Sequence, residues 1–339
     1  MIEKIRFNKK FLAYGITMLL VGVLVGTLLH KNNAISPKTN EKQEVKVKKE
    51  IKIAQMPLGF GTFFPLFVAQ QEGFFDKYSL TVKFEQIDRS LSVQALLAKS
   101  VDYTPFVEET TMASLKGAPV KTIMLFAENL PACLVIRPGI KPEDIKYAAI
   151  VGQGTWGHIA ALKFFRKIDI SPKITFLSDL NEAISMLATK HADITGMSLP
   201  TSFQLREKGY SIIELSDEEA LFGLATTDDK IKNNPEEVKE VIKAIQSAID
   251  FIRNNPEKTK ELLFSFYKYE KNEVNNKIIN DIYDVAKKTF KNIKIPNQAT
   301  IREVIQIEKN VKFENLEQID SQTVTPEDIS NSFDFRFIK

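Results

Sequence analysis

The sequence holds one cysteine, Cys133, and three histidines, His30, His158 and His191, in 339 residues. A single thiol excludes an internal disulfide, a CxxC redox pair and a cysteine-built zinc or iron–sulfur site. No two histidines stand at ligand spacing, so no histidine-built metal centre is expected either. Catalytic signatures are missing as well: there is no GxSxG, no HExxH and no cysteine with a plausible histidine partner. The expectation is a binder and not an enzyme, with neither cofactor nor metal. What is present is ordinary: 44% hydrophobic and 26% charged residues, with 14 Gly and 14 Pro. That composition belongs to a globular chain of about two domains.

The formal charge of +3 is unevenly spread. Residues 1–50 hold ten Lys/Arg against four Asp/Glu, so the remainder carries 36 basic and 39 acidic side chains. A body of mild negative charge without a basic stripe is a poor nucleic-acid binder. Lys4, Arg6, Lys9 and Lys10 precede an uncharged run from Phe11 to Leu29. At 1.5 Å per residue that run spans about 28 Å, close to the hydrocarbon thickness of a bilayer. Basic residues before it would keep its start in the cytoplasm and send the rest outward. The reading is an N-terminal signal or anchor over residues 1–29. A cleaved secretory signal is the rival, although no good small-x-small site follows. Leu24-Val25-Gly26-Thr27 is like a lipoprotein box, but with Thr where the acylated thiol must stand. Residues 30–50 are too polar to pack and read as a flexible linker of about 25 Å.

From residue 51 the chain alternates short strands with helices. Ile51–Met56, Leu80–Phe84, Val101–Thr104, Val120–Phe126, Cys133–Arg137, Tyr147–Val151, Ile174–Leu177, Ala192–Gly196, Ser211–Leu215 and Leu221–Thr226 read as strands. Pro65 opens a helical pattern running through Phe75, and further helices cover Ser92–Lys99, Thr110–Lys116, Trp156–Lys167 and Leu180–Thr189. Beyond Pro235 the pattern is helical only, over Glu236–Asn254, Pro256–Tyr267 and Asn272–Phe290. This predicts an α/β protein with a largely parallel sheet and a helical C-terminal part. An internal echo links Leu97-Ala98-Lys99-Ser100-Val101-Asp102-Tyr103-Thr104 to Leu187-Ala188-Thr189-Lys190-His191-Ala192-Asp193-Ile194-Thr195. It is either the common look of short α/β units or a sign of two lobes of similar topology.

Several ordered pieces carry a resemblance. Pro65-Leu66-Phe67-Val68-Ala69 precedes Glu72-Gly73-Phe74-Phe75 and Leu80-Thr81-Val82; Ala95-Leu96-Leu97-Ala98 with Val101-Asp102 and Lys116-Gly117-Ala118-Pro119-Val120 follow. Further on stand Lys141-Pro142-Glu143-Asp144-Ile145, Gly154-Thr155, Asn234-Pro235-Glu236-Glu237-Val238 and Ile252-Arg253-Asn254-Asn255-Pro256-Glu257. In this order, over about residues 51–290, the chain resembles extracytoplasmic solute-binding proteins of ABC importers. The branch it is most similar to contains the sulfonate, taurine, nitrate and thiamin-pyrimidine binding proteins.

The resemblance implies a two-lobed, periplasmic-binding-protein-like (type II) clamshell behind the N-terminal membrane helix. Lobe I would comprise 51–130 and 220–339, lobe II 131–219, with crossovers near Asn129–Ala132 and Ser216–Leu221. It also implies a monomer that closes on a small-molecule ligand and is read by an ABC permease and, through it, the ATPase. A membrane-tethered sensor using the same clamshell is the other functional reading.

Loops at the carboxyl ends of the strands would line the cleft. Gly59, Phe60, Gly61, Thr62 and Phe63 follow the first strand, as backbone approach and apolar wall or as helix packing. Arg89 and Ser90 precede a helix, where an arginine fork suits a carboxylate or sulfonate; a solvated surface arginine is the alternative. Glu108 and Thr110 follow a third strand, and a carboxylate there prefers a donor-rich heteroaromatic ligand, unless it merely favours the helix start. Gly154, Thr155 and Trp156 open the second lobe's first helix, whose amides face the cleft; Thr155 reads as a cap alone or as cap and ligand contact, and Trp156 as a stacking surface or as a core residue. Ser198 takes the matching place opposite. The ligand expected is a small organic anion or heteroaromatic.

Overall fold

The computed structural model describes residues 48–55, 60–129, 132–153, 156–197, 199–215, 219–293, 299, 302 and 325–338; for several of these, Phe60, Gly61, Thr62 and Trp156 among them, only the backbone course is described. Val47–Lys339 forms one compact unit, separate from Met1–Lys46. The anchor expected over Phe11–Leu29, and the linker up to residue 47, lie outside the described residues. Among the described residues no helix is long and apolar enough to cross a membrane.

Strand β1 (Lys49–Gln55) takes up the last two residues assigned to the linker, because Ile51, Ile53 and Ala54 are fully buried and pull the preceding lysine into register. It runs parallel to β2 (Leu80–Gln86), with Lys49 opposite Leu80 and Gln55 opposite Gln86. On its other side Ile53 bridges Tyr103 in parallel, and Thr104 bridges Ala225 of β9 (Glu219–Thr227) antiparallel. Strand β9 then pairs antiparallel with β3 (Val120–Asn129). The lateral order is therefore β2, β1, residues 103–104, β9, β3. Where Val101–Thr104 was expected to be a strand, two bridging residues suffice.

Residues 132–215 build a second sheet from β4 (Ala132–Ile136), β5 (Tyr147–Val151), β6 (Lys173–Leu177), β7 (Ile194–Met197) and β8 (Ser211–Leu215). Its order is β6, β5, β7, β4, β8. This is the first arrangement repeated: three strands in parallel, a fourth (β9 or β4) that runs against them, and a fifth (β3 or β8) that pairs with the fourth and points with the first three. The largely parallel sheet that the sequence predicts is found with one reversed strand in each half. The strands that carry the chain between the two sheets must return in the opposite sense, and they pair with each other.

The internal echo has a physical content. Lys99 and Lys190 both adopt left-handed backbone, with φ of 58° and 63°, where a helix turns back toward the sheet. Beyond each turn an aspartate grips the backbone of a neighbouring parallel strand, β1 in one half and the start of β5 in the other. Asp102 accepts from the Lys52 N–H at 2.8 Å, and Asp193 from the Lys146 and Tyr147 N–H groups at 2.9 and 3.0 Å. Each also meets a cation: Lys230 at 2.7 Å from Asp102, and Arg137 at 2.9 Å from Asp193.

Helix α1 (Phe60–Gln71) starts five residues before Pro65, which the sequence reading placed at its beginning, and stops short of Phe75. An interior proline removes a hydrogen bond and costs about 3 kcal/mol. Burial of Phe63, Phe64, Leu66 and Val68, at roughly 1.5–3 kcal/mol each, outweighs it. A short helix α2 (Phe74–Lys77) leads into β2, α3 (Ser92–Leu97) and α4 (Val107–Leu115) cover the first sheet, and α5 (Trp156–Lys167), α6 (Leu180–Ala188) and α7 (Thr201–Arg206) serve the second. Leu134, Ile136, Ala148 and Ile150 pack with Phe164 and Phe165 of α5; the alternate residues Val135 and Ala149 pack with Ala183 and Leu187 of α6. Both faces of that sheet are thus covered, as its nearly continuous apolar strands require.

After β9 come α8 (Asp228–Asn233), α9 (Pro235–Asn254), α10 (Pro256–Tyr267) and α11 (Glu273–Thr289), and later α12 (Pro326–Ser332). Prolines open α9 and α10, where the missing N–H has no partner to lose. The inward stripe of α9, from Val238 through Ile252, is fully buried against α1, α10 and α11 in the largest core.

At Gly223 of β9 a Cβ would lie 2.0 Å from the Met124 carbonyl oxygen of β3, so the irregular register of this pair leaves no room for a side chain. Gly223→Ala is expected to destabilise the chain by about 2 kcal/mol or more in urea unfolding.

Candidate functional site

Strands β1 and β2 end side by side, with the Ile87 N–H donating to the Gln55 carbonyl at 3.2 Å. The chain then makes one 3-10 turn over Arg89–Leu91, capped by Asp88. Ser90 donates to the Asp88 carboxylate from its N–H (2.9 Å) and from its hydroxyl (2.5 Å), which holds that carboxyl below the usual range. Ser90 is thereby committed to the turn. Arg89, the residue between them, is left pointing at α4.

Helix α4 begins just beyond the Thr104 bridge and brings two carboxylates to that guanidinium. Arg89 donates through Nε to Glu109 and through an Nη to Glu108. With both carboxylates ionised the cluster carries one net negative charge. Burial pushes the Glu108 carboxyl up even against the pull of Arg89. The second oxygen of Glu109, Oε2, is buried without a hydrogen-bond partner. The fork that the sequence offered to an external anion is here filled by the protein's own acids.

The other predicted residues fall in three groups. Thr110 is fully buried, and its hydroxyl donates to the Phe106 carbonyl at 2.8 Å, one turn back along the helix. Phe63 is buried in the core, edge-on to Phe84 with centroids 4.8 Å apart and stacked over Phe266. Phe60, Gly61 and Thr62 form the first turn of α1, and Trp156 is the first residue of α5. Gly59, Gly154, Thr155 and Ser198 lie outside the described residues. Of the thirteen, the structure brings Arg89 and Glu108 into direct contact.

Glu109 is not among the residues that the sequence singles out. No spacing rule links it to an arginine twenty residues earlier, because only the bridge at residues 103–104 makes them neighbours. A second unpredicted network stands beneath them. Lys230 sits between Asp102 and Glu237, at 2.7 and 2.9 Å, and the Tyr103 hydroxyl donates to Glu237 at 3.0 Å. Thr226 donates to the Asp102 carbonyl at 2.7 Å. This network fixes the segment that carries the chain from residue 102 into α4. The echoed aspartate was the one signal of it in the sequence.

In the second half β5 leads to Gly152, whose φ of 75° no β-branched or bulky residue would tolerate, and its N–H donates to the Leu177 carbonyl at 2.9 Å. Two residues into α5, His158 is buried, with Phe176 edge-on at 4.8 Å. Among the described residues no group of three His, Cys, Asp or Glu side chains is placed to hold a metal ion.

Comparison with known proteins gives three results. The family profile described as "NMT1/THI5 like" matches residues 61–259, more than half of the chain. No curated protein sequence matches. Solved structures do: the periplasmic aliphatic sulphonate binding protein SsuA from Escherichia coli is similar at a TM-score of 0.64 with 14% identity, over 84% of this chain and 97% of that one. The alkanesulfonate-binding protein SsuA from Xanthomonas axonopodis pv. citri bound to MOPS gives 0.57 with 13% identity, over 78% and 92%. A Candida albicans gene product, described as having the generic periplasmic binding protein fold, gives 0.59 with 14% identity, over 84% and 96%. At these identities the structural likeness speaks for the fold alone.

Burial holds the His158 imidazole below its ordinary value of 6.5. The unfolded chain therefore takes up this proton before the folded one does: the stability it contributes is full above 6.5 and is lost as pH falls below it. His158→Leu should flatten the loss of stability between about pH 7.5 and 5.5, by up to about 1.4 kcal/mol per pH unit. Urea titrations at the two pH values read it.

Proposed function

The chain belongs to the NMT1/THI5-like family, and from that premise we propose that it is the extracytoplasmic substrate-binding component of an ABC importer. Lobe I, residues 51–130 with 220–339, and lobe II, residues 131–219, would close on a small organic solute. The observation that carries this reading is the pair of crossovers. The two strand pairs end at Asn129 opposite Glu219 and restart at Ala132 opposite Leu215, so the chain passes twice between the sheets at one place. Two adjacent passages allow one sheet to swing against the other while neither is disturbed internally. A solute that touches both lobes only when they are shut shifts that equilibrium toward the closed form. The closed form is what a permease would read, and the binder itself would turn nothing over. Attachment through Phe11–Leu29, or export by it, would place this cycle outside the cytoplasmic membrane.

The ligand class follows from charge. Arg89 already has two carboxylates, and Glu109 Oε2 has no partner. A buried acceptor of this kind favours a solute that presents N–H donors, such as an aminopyrimidine, and repels a free anion. The sulfonate-binding neighbours support the other reading, a small organic anion, which would need Arg89 released from its glutamates.

Native mass spectrometry and calorimetry on the full chain, against aliphatic sulfonates, nitrate, aromatic acids and aminopyrimidines, separate the two. An aminopyrimidine is expected to bind at about 1 µM or tighter, and Glu109→Gln to weaken it at least about tenfold. Sulfonate binding that tightens in Glu109→Gln would overturn the donor-rich reading. No binding by any class would overturn the binding function.

A further inference from the structure

Helix α7 packs on β4 and β8, the strands that enter and leave the crossovers. It does not stop at its own sheet: Phe203 and Leu199 belong to the large core built mainly by α1, α9, α10 and α11. Three polar contacts join the same segment to the α10–α11 hairpin. Gln204 donates to the Tyr269 hydroxyl at 2.7 Å, Arg206 pairs with Asp281, and Glu207 takes Lys277 at 2.9 and 3.0 Å through its two oxygens. The Arg206 guanidinium also lies over the Phe203 ring at 4.6 Å, which aims it outward along the helix. Lys277 and Arg206 hold the Glu207 carboxyl below its usual range, so that side chain is ionised at neutral pH.

Each of these pairs has one member in residues 132–215 and one member outside them. A swing of that sheet about the crossovers changes their separations, and hydrogen bonds tolerate only a few tenths of an ångström before they weaken. Hydrogen bonds and ion pairs are directional where the apolar contacts of Phe203 and Leu199 are not, so the polar array distinguishes one lobe angle from another.

We propose that Arg206–Asp281 and Glu207–Lys277, with Gln204–Tyr269, form a bracket beside the hinge that sets the resting ratio of the two lobe arrangements, and hence the apparent affinity for solute, without touching the solute. The proposal rests on the two-lobe reading above. Half-exposed ion pairs of this kind shift an equilibrium about two- to fivefold each, less at high salt.

The test measures lobe separation in the full chain. Spin labels at Lys116→Cys and Lys167→Cys, both exposed, report it by double electron–electron resonance. The native thiol does not interfere, since Cys133 is buried and its pKa is pushed up to about 11. Two distance populations are expected, with a ratio that moves at least twofold in Arg206→Ala and in Lys277→Ala and returns in the exchanged pair Arg206→Asp with Asp281→Arg. Raising the ionic strength should move the unmutated chain the same way, which needs no variant to fold. Two populations indifferent to the variants and to salt would overturn the bracket and leave the hinge standing. A single population in the unmutated chain, with and without sulfonates and aminopyrimidines, would overturn the hinge and the bracket together.

Discussion

Everything in this fold hangs on two antiparallel strand pairs laid end to end. Strands β3 and β9 close the first sheet, β4 and β8 close the second, and the chain crosses from one pair to the other twice at the same place. Paired backbone is stiff within each sheet, because every slip would break a ladder bond and turn apolar side chains outward. Between the pairs run the two crossovers, and beside them α7 carries Phe203 into the core of the other half. That contrast is the mechanical basis of the proposed clamshell, two bodies that would turn about one line.

The same constraint explains why each half is only partly parallel. Once two strands per half are used for passage, the other three are free to follow parallel βαβ logic, and they do so twice with the same aspartate device. Asp102 and Asp193 each hold a neighbouring parallel strand, β1 or β5, by its backbone and each pair with a cation, Lys230 in one half and Arg137 in the other. The cations come from different places in the chain. The duplication therefore lies in topology and anchoring, and its chemistry has diverged.

Much of this was legible in the residues. Helix α5 begins at Trp156 and ends at Lys167 as its period and its glycine-rich approach suggest, and Tyr147–Val151, Ser211–Leu215 and Pro256–Tyr267 also fall where the patterns place them. The echo around Asp102 and Asp193 was visible too. Pro65 misled because local propensity says nothing of how much aromatic surface the preceding turn will bury. Strand direction was illegible, since apolar runs look alike whichever way their neighbours point. At the site, Arg89 and Glu108 were each readable as cleft residues. That they would pair with each other was not, for the contact depends on the two-residue bridge at 103–104, which sets α4 beside the turn that follows β2. The guanidinium that reads as free in the sequence is occupied by Glu108 and Glu109, and a buried acceptor, Glu109 Oε2, is left beside it.

The central claim is that residues 131–219 move as one body against the remainder when solute binds. Small-angle X-ray scattering of the full chain, before and after saturation with whichever screened solute binds, tests it most directly. The account predicts a smaller radius of gyration on binding, fitted by rotating that body about the crossovers with both sheets unchanged. Saturable binding with an unaltered scattering curve would contradict it.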